Sequence, residues 1–376
     1  MDISTLPTPA LLLDRAILDK NIAAMAARAR TLKVNLRPHI KTHKCLEIAE
    51  LQRDAGACGI TVSTFTEAEI FAQAGFKDIT YAVPLEPGKI QRALALSRTM
   101  DLGVTVDDIE VVKQLGRAAS STGQRLPVWL KVDCGYHRVG VDPSSDYALQ
   151  VAGCISAAGN LVLAGLLTHA GHAYHTSAIT QIKAIADKER DILMDFRTRL
   201  VEAGYGQPTI SVGATPTMWH CEDLAGIDEA RPGNYVFHDR TQVALGSCQA
   251  GDCALTVLAT VISHQPDSNR AVIDAGALAL SHDPGPVHLD PAPNRGVIVA
   301  DREKMSLHPT LHVASVSQEH GIIKGKSRAD LDDLKVGSKV IILPNHSCLT
   351  AALFDEYNVV EGRRVIGQWQ IQRGRN

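Results

Sequence analysis

The chain offers none of the features that mark a membrane protein, a nucleic-acid binder or a secreted protein. No stretch approaches 18 consecutive apolar residues, which argues against a membrane-spanning helix. The first residues, Met1-Asp2-Ile3-Ser4-Thr5-Leu6-Pro7, show no basic stretch followed by an apolar one, so no secretory signal is expected. A formal net charge of -3 gives neither a basic surface for nucleic acid nor an acidic tail. The eight cysteines form no CxxC pair, in a chain far too long to be a disulfide-stapled miniprotein. Cys45, Cys58, Cys154 and Cys253 lie among apolar or small neighbours and read as ordinary buried thiols. No internal repeat or low-complexity tract stands out. These absences predict a cytoplasmic protein whose partners are small molecules or copies of itself.

What is present is ample material for two domains: 376 residues, 45% hydrophobic and 21% charged. From about residue 12 to 235, β-rich runs alternate with helical stretches. Strands are expected at 34–37, 59–63, 79–84, 102–106, 127–133, 161–168, 209–212 and 229–232. Helical spacing between them is clearest at 14–32, where Ile17, Ile22, Met25 and Ala29 share a face and Asp14 can cap. Ser63 and Thr64 before an acidic turn mark another helix start. Eight strands alternating with helices predict an α/β fold, a (β/α)8 TIM-type barrel, over residues 12–245. Beyond it helical periodicity fades, and strands recur at 254–263, 270–273, 295–299, 311–318 and 338–343, with a hairpin over 359–371. Residues 246–376 therefore read as a second, mostly β domain, with the loop 282–295 inside it and residues 1–11 as a candidate addition.

Barrel active sites are built from loops at the C-terminal ends of the strands. Here those loops are rich in polar residues and glycine: Arg37-Pro38-His39-Ile40-Lys41-Thr42-His43-Lys44 after the first strand, Asp133 to Gly140 after the fifth, Thr168 to His175 after the sixth, Gly213 to Thr217 after the seventh, and Gly233-Asn234-Tyr235 after the eighth. Gly213 permits close backbone approach, Thr215 reads as an N-cap and Pro216 as the first helical residue. A helix start of this kind offers free N–H groups to a phosphate; an ordinary capped helix fits the same residues. Lys41 and Lys44 flank His43 right after an apolar strand, where neighbouring cations lower an amine's pKa, as an imine-forming lysine requires; a solvated basic turn is the plainer alternative. In the β domain, His346 and Cys348 stand two apart, on one side of an extended segment, and imidazole with thiolate suits zinc.

Seen together, these segments resemble a known family. Thr8-Pro9-Ala10, the Arg37–Lys44 run, Gly59-Ile60-Thr61-Val62-Ser63-Thr64, Thr168-His169-Ala170-Gly171, Ser211 to Thr217, Arg231-Pro232-Gly233-Asn234-Tyr235, Gln318-Glu319-His320-Gly321 and Pro344-Asn345-His346-Ser347-Cys348 are similar to the D-serine dehydratase and D-threonine aldolase group. These are fold-type III, alanine racemase-like enzymes, and the resemblance runs almost end to end. It implies pyridoxal 5′-phosphate (PLP) held as an imine on Lys41. Gly213, Thr215, Gly233 and Asn234 match the phosphate cradle, with Tyr235 beside it. Arg138 and Tyr174 match residues at the cofactor ring, and His169 joins the cofactor-binding set. His346 and Cys348 match a metal pair that engages the hydroxyl on Cβ, with Glu319 or His320 as candidates to orient a metal ligand.

The resemblance also bears on the reaction. Aldolases of the group usually carry histidine and aspartate at the metal pair, suited to manganese or magnesium. The dehydratases carry histidine and cysteine, suited to zinc. Cys348 therefore favours a zinc-dependent lyase that removes water from D-serine, D-threonine or 3-hydroxy-D-aspartate, giving a 2-oxo acid and ammonia. The wording at 59–64 and 343–348 lies nearest the 3-hydroxy-D-aspartate type. Cleavage by a D-threonine aldolase is the alternative. A racemase would need a second acid/base that nothing here identifies, and single-domain PLP carriers resemble the barrel alone. A homodimer is the expected state for this fold type.

Overall fold

The structure, a computed structural model, describes residues 1–290 and 294–374. Residues 291–293 of the predicted loop 282–295 lie outside the described residues. The chain divides into two compact units, Met25–Gly233 and Met1–Ala24 with Asn234–Arg373. The first strand, β1 (Ala10–Asp14), belongs to the second of these.

In the unit Met25–Gly233 the expected eight strands form: β2 (Asn35–Leu36), β3 (Ile60–Val62), β4 (Asp78–Pro84), β5 (Asp101–Val106), β6 (Leu126–Lys131), β7 (Leu161–Leu167), β8 (Thr209–Val212) and β9 (Glu229–Ala230). Their ends shift only slightly from the sequence expectation. All pair in parallel in the order β2-β9-β8-β7-β6-β5-β4-β3. A parallel bridge between His39 and Thr61, and a hydrogen bond from Cys58 N–H to the Leu36 carbonyl, join the two ends of the curl. Parallel strands are covered on both faces, which is why β5 reads as an almost unbroken buried run. Two glycines make room for the largest side chain in the sheet. A Cβ on Gly103 would lie 2.6 Å from Trp129 Nε1, and one on Gly165 would meet the other side of the same indole. Thr64 starts the next helix as expected, through a capping box with Glu67: its Oγ1 accepts from Glu67 N–H at 3.1 Å.

In the other unit, nine strands form one sheet. They are β1 with β10 (Leu255–Gln265), β11 (Arg270–Ile273), β12 (Val297–Asp301), β13 (Ser306–Val316), β14 (Gly321–Lys324), β15 (Lys339–Leu343), β16 (Glu356–Glu361) and β17 (Arg364–Gln370). The order is β11-β14-β13-β12-β15-β10-β1-β16-β17, and β10 pairs again with β11. That extra pairing closes β10, β11, β14, β13, β12 and β15 into an antiparallel ring. β1 lies between β10 and β16, and Leu12 packs with Ile3, Leu6, Ala10, Leu258 and Val360 in an apolar cluster. Neither β1 nor β14 was expected from sequence. Each is too short for an alternating pattern to separate it from a turn or a helix start.

No helix of the described residues is long and apolar enough to cross a membrane.

Candidate active site

Lys41 sits on a one-turn 3-10 helix, Ile40–Thr42, directly after β2. His39 caps this turn, its Nδ1 accepting the Lys41 N–H at 3.5 Å. The neighbours expected to supply positive charge in this turn are themselves compensated or neutral. Lys44 pairs with Glu67 at 3.0 Å. His43 is fully buried; burial holds it neutral, lowered to about 3, against opposing hydrogen bonds from Gln52 and Cys45. His39 and His169 are likewise pushed well below the usual histidine range, by burial first and by the charge of Lys41 second. The Lys41 turn is therefore walled by neutral imidazoles, with the cations Lys131, Arg231 and Arg138 acting on His39 or His169 as well.

The turn also fixes the loop after β9. A Cβ on Gly233 would stand 2.8 Å from Thr42 Oγ1 and 2.9 Å from the His39 carbonyl, so only glycine fits against this backbone. Gly213 has φ +145, and a Cβ there would meet the Arg231 nitrogen at 2.7 Å. Its carbonyl accepts a hydrogen bond from His169 Nδ1 at 2.8 Å. Thr215 departs from its expected role. The extended residue before the short helix Thr215–His220 is Ala214, whose N–H is taken by Thr217 Oγ1 at 3.2 Å. Ala214 is thus the N-cap, and Thr215 is the first helical residue. The Thr215 hydroxyl is freed by this shift: it is buried with no hydrogen-bond partner among the described residues. An orphaned hydroxyl beside a glycine of positive φ fits a phosphate group.

Around this rim, Arg138 is exposed, its guanidinium 5.1 Å from the Tyr136 ring centroid, and Tyr136 meets His169 edge-on at 6.0 Å. Tyr174 lies half-buried in the 3-10 turn Gly171–His175. At the same strand ends the barrel holds charges to which the sequence reading assigned no role. Lys131 at the end of β6 is 3% exposed, and burial, then Arg231 and Arg138, push its amine down to about 7. Burial likewise brings Arg231 down to about 10, and its guanidinium donates to Ser211 Oγ and the Thr168 carbonyl. Arg37 is tied to Glu229 at 2.8 Å and to the Asp78 carboxylate by two hydrogen bonds.

In the other unit, Asn234 and Tyr235 open a 3-10 turn and are buried. Asn234 Nδ2 donates to Asp239 at 2.7 Å and to Ser347 Oγ at 2.9 Å, and lies 3.6 Å from Cys348 Sγ. Asp239 also accepts the Ser347 N–H at 2.9 Å. His346 is extended, but Cys348 lies in the first turn of helix Ser347–Ala351, so the expected extended segment is bent. The two side chains still hydrogen-bond to each other. Burial pulls the His346 imidazolium down, but hydrogen bonds to Asp283 and Cys348 outweigh it and push it up to about 11.

Asp283, not Glu319 or His320, contacts this histidine: its Oδ2 stands 3.3 Å from His346 Nδ1. Glu319 and His320 are exposed in the turn between β13 and β14. A carboxylate on one ring nitrogen leaves the other for a metal. Among the described residues no set of three or more His, Cys, Asp or Glu could hold a metal. A pair of protein donors fits an open site completed by substrate and water, not a closed structural one.

Comparison with known proteins gives the family. Residues 13–241 match the family described as alanine racemase, N-terminal domain, and residues 254–360 match a serine dehydratase domain. The chain is 37% identical to a D-serine dehydratase from Dictyostelium discoideum, over 96% of this chain and 94% of that one. It is also 37% identical to a D-threo-3-hydroxyaspartate dehydratase from Delftia sp. (strain HT23), over 98% of each. The chain belongs to the D-serine dehydratase and D-threonine aldolase group.

Members of this alanine racemase-like group include a D-threonine aldolase from Arthrobacter sp, 30% identical over 98% of this chain and 93% of its own. The solved dehydratase from Delftia sp. HT23 superposes with a TM-score of 0.92 at 36% identity, covering 99% of both chains. Solved variants of a D-threo-3-hydroxyaspartate dehydratase replace a histidine and a cysteine two positions apart, the cysteine variant in a metal-free form.

Proposed function

We propose that this chain is a PLP- and zinc-dependent lyase that eliminates water from a D-3-hydroxy amino acid, releasing a 2-oxo acid and ammonia. The observation that carries the choice of reaction is the pairing of His346 with Cys348, with Asp283 on the imidazole. An imidazole and a thiolate suit zinc better than manganese or magnesium, which remain substitutes. The replaced histidine and cysteine of the solved dehydratase variants, spaced alike, support the same reading.

PLP, when bound, supplies the electron sink that lets a proton leave Cα. Zinc, when bound, supplies a Lewis acid for the β-hydroxyl, a poor leaving group on its own. The chain's own residues supply the rest. Lys41 anchors the cofactor and, once released from it, is the amine that takes the Cα proton. Neutral His39 and His169 beside it offer no competing positive charge. The orphaned hydroxyl of Thr215, with Gly213 and Gly233, receives the phosphate. Asn234 and Tyr235 stand next in the chain to Gly233 and continue that set. Arg138, Tyr174 and His169 are assigned to the ring of the cofactor. The eight free cysteines support a reducing, cytoplasmic setting, and the fold type supports a homodimer.

The test is ammonia release from D-serine, D-threonine and 3-hydroxy-D-aspartate, with and without added zinc. Turnover of at least one, lost on chelation and restored by zinc, is expected. The aldolase alternative is favoured by the Arthrobacter relative, and D-threonine separates the two. Glycine with acetaldehyde would overturn dehydration, whereas 2-oxobutanoate with ammonia supports it.

A further inference from the structure

The capping box at the start of helix Phe65–Gln73 contains a glutamate whose contacts go beyond capping. Glu67 is 1% exposed, and a carboxylate is seldom so deeply buried unless it is paired. The box accounts for one contact, in which Oε2 accepts the Thr64 N–H at 3.2 Å. The same oxygen accepts the Ser63 N–H more closely, at 2.7 Å. Oε1 has no aligned hydrogen bond among the described residues and lies instead 3.0 Å from the Lys44 ammonium, as an ion pair.

Both of these extra contacts lead to Lys41. Ser63 Oγ is 3.3 Å from His39 Nε2. His39 Nδ1 accepts the Lys41 N–H at 3.5 Å, so in the neutral ring Nε2 carries the proton and donates to Ser63. On the other side, the Lys44 N–H donates to the Ile40 carbonyl at 2.8 Å and closes the turn Ile40–Thr42. Lys44 has φ +48, a left-handed backbone that residues with a side chain seldom adopt. The ion pair to Glu67 fastens its side chain there, and with Lys44 mostly covered, water screens the pair little.

We propose that Glu67 is a positioning residue for the imine lysine. One carboxylate grips the chain on both sides of Lys41, through Ser63 to His39 before it and through Lys44 after it. The angle at which the amine meets the cofactor is thereby fixed. The inference rests on the reading of Lys41 as the PLP anchor. It gives the helix after β3 a part in presenting a lysine that follows β2.

The experiment uses the full-length chain loaded with PLP and three variants, Glu67→Gln, Lys44→Met and Thr64→Ala. The PLP dissociation constant is measured by dialysis, and visible circular dichroism per bound PLP reports how rigidly the cofactor is held at one angle. Glu67→Gln keeps the shape of the side chain but loses its charge and turns one acceptor oxygen into a donor. It should raise the dissociation constant on the order of tenfold and cut the visible dichroism by about half. Lys44→Met removes the other partner and should move both readouts the same way; it decides should the glutamine variant not fold. Thr64→Ala removes the helix cap alone. Its melting temperature should fall while both PLP readouts stay at their wild-type values.

Glu67→Gln with wild-type affinity and dichroism overturns the inference, whatever its melting temperature. So does a Thr64→Ala variant that loses both signals to the same extent, because helix stability alone would then be the cause. If Lys41→Ala keeps the visible absorbance of bound PLP, the anchor reading fails and this inference with it. An unchanged Glu67→Gln beside a Lys41→Ala that loses the absorbance overturns this inference alone.

Discussion

A lysine amine enclosed by protein is costly while charged, and Lys131 has no hydrogen-bond or ion-pair partner among the described residues. Burial, then Arg231 and Arg138, bring it down to about 7 from an ordinary 10.5. The unfolded chain therefore binds one more proton than the folded chain between those two values, so stability rises with pH across that window. The penalty is complete below about pH 7 and fades toward pH 10.5. Lys131→Met should thus be more stable than wild type at pH 7, by on the order of 2 kcal/mol, with the gap closing as pH approaches 10. Melting temperatures of both proteins across that range measure it, and a gap that stays constant would mean an unperturbed amine. Activity should fall in the same variant if the charge at the C-terminal end of β6 serves the site. Lys41→Ala is a sharper test of the anchor. It should lose the visible absorbance of bound PLP together with turnover, and a variant that keeps the absorbance refutes the assignment.

At the scale of elements, the barrel was legible because each strand is a short apolar run closed by turn residues, and each is followed by helical spacing. β5 and its neighbours show that pattern in the structure as in the sequence. β1 was not legible. Ala10-Leu11-Leu12-Leu13 is an unbroken apolar run, and its place between β10 and β16 depends on residues some 250 to 350 positions away. The candidate site divides in the same way. Residue types and spacing were enough to single out Gly213, Gly233 and the His346–Cys348 pair.

Local geometry then altered details that residue type does not encode. The N-cap fell on Ala214 instead of Thr215, and Cys348 entered a helix. Asp283 was missed because Asp283-Pro284-Gly285 reads as a turn, and its link to His346 spans 63 positions. The link makes a prediction. Asp283→Asn keeps the size of the side chain but removes the charge behind the imidazole. Zinc affinity, measured by competition with a chromogenic chelator, should fall about tenfold or more, while PLP absorbance stays near wild type. Unchanged zinc affinity would show that Asp283 serves the loop alone.

For the molecule as a whole, the bonds around the cofactor anchor and those around the metal pair fall in different units, with Asn234, assigned to the phosphate, bonded beside the metal pair. Lys41, His39, His169 and Gly213 are tied to one another within Met25–Gly233. His346, Cys348, Asp283, Asn234 and Asp239 are tied within the other unit. Of the residues assigned to the phosphate, Asn234 belongs to the second set, but the imine lysine does not, so removing the metal is expected to leave the cofactor attached. Chelation should accordingly abolish ammonia release, leave visible PLP absorbance within about 10–20% of its starting value, and be reversed by zinc. The absorbance and activity of one sample, followed together during chelator titration, check this directly. Parallel loss of both signals would show that the metal also holds the cofactor in place. Full activity in chelated enzyme would remove the metal from the reaction, and with it the reason for reading Cys348 as the mark of a dehydratase.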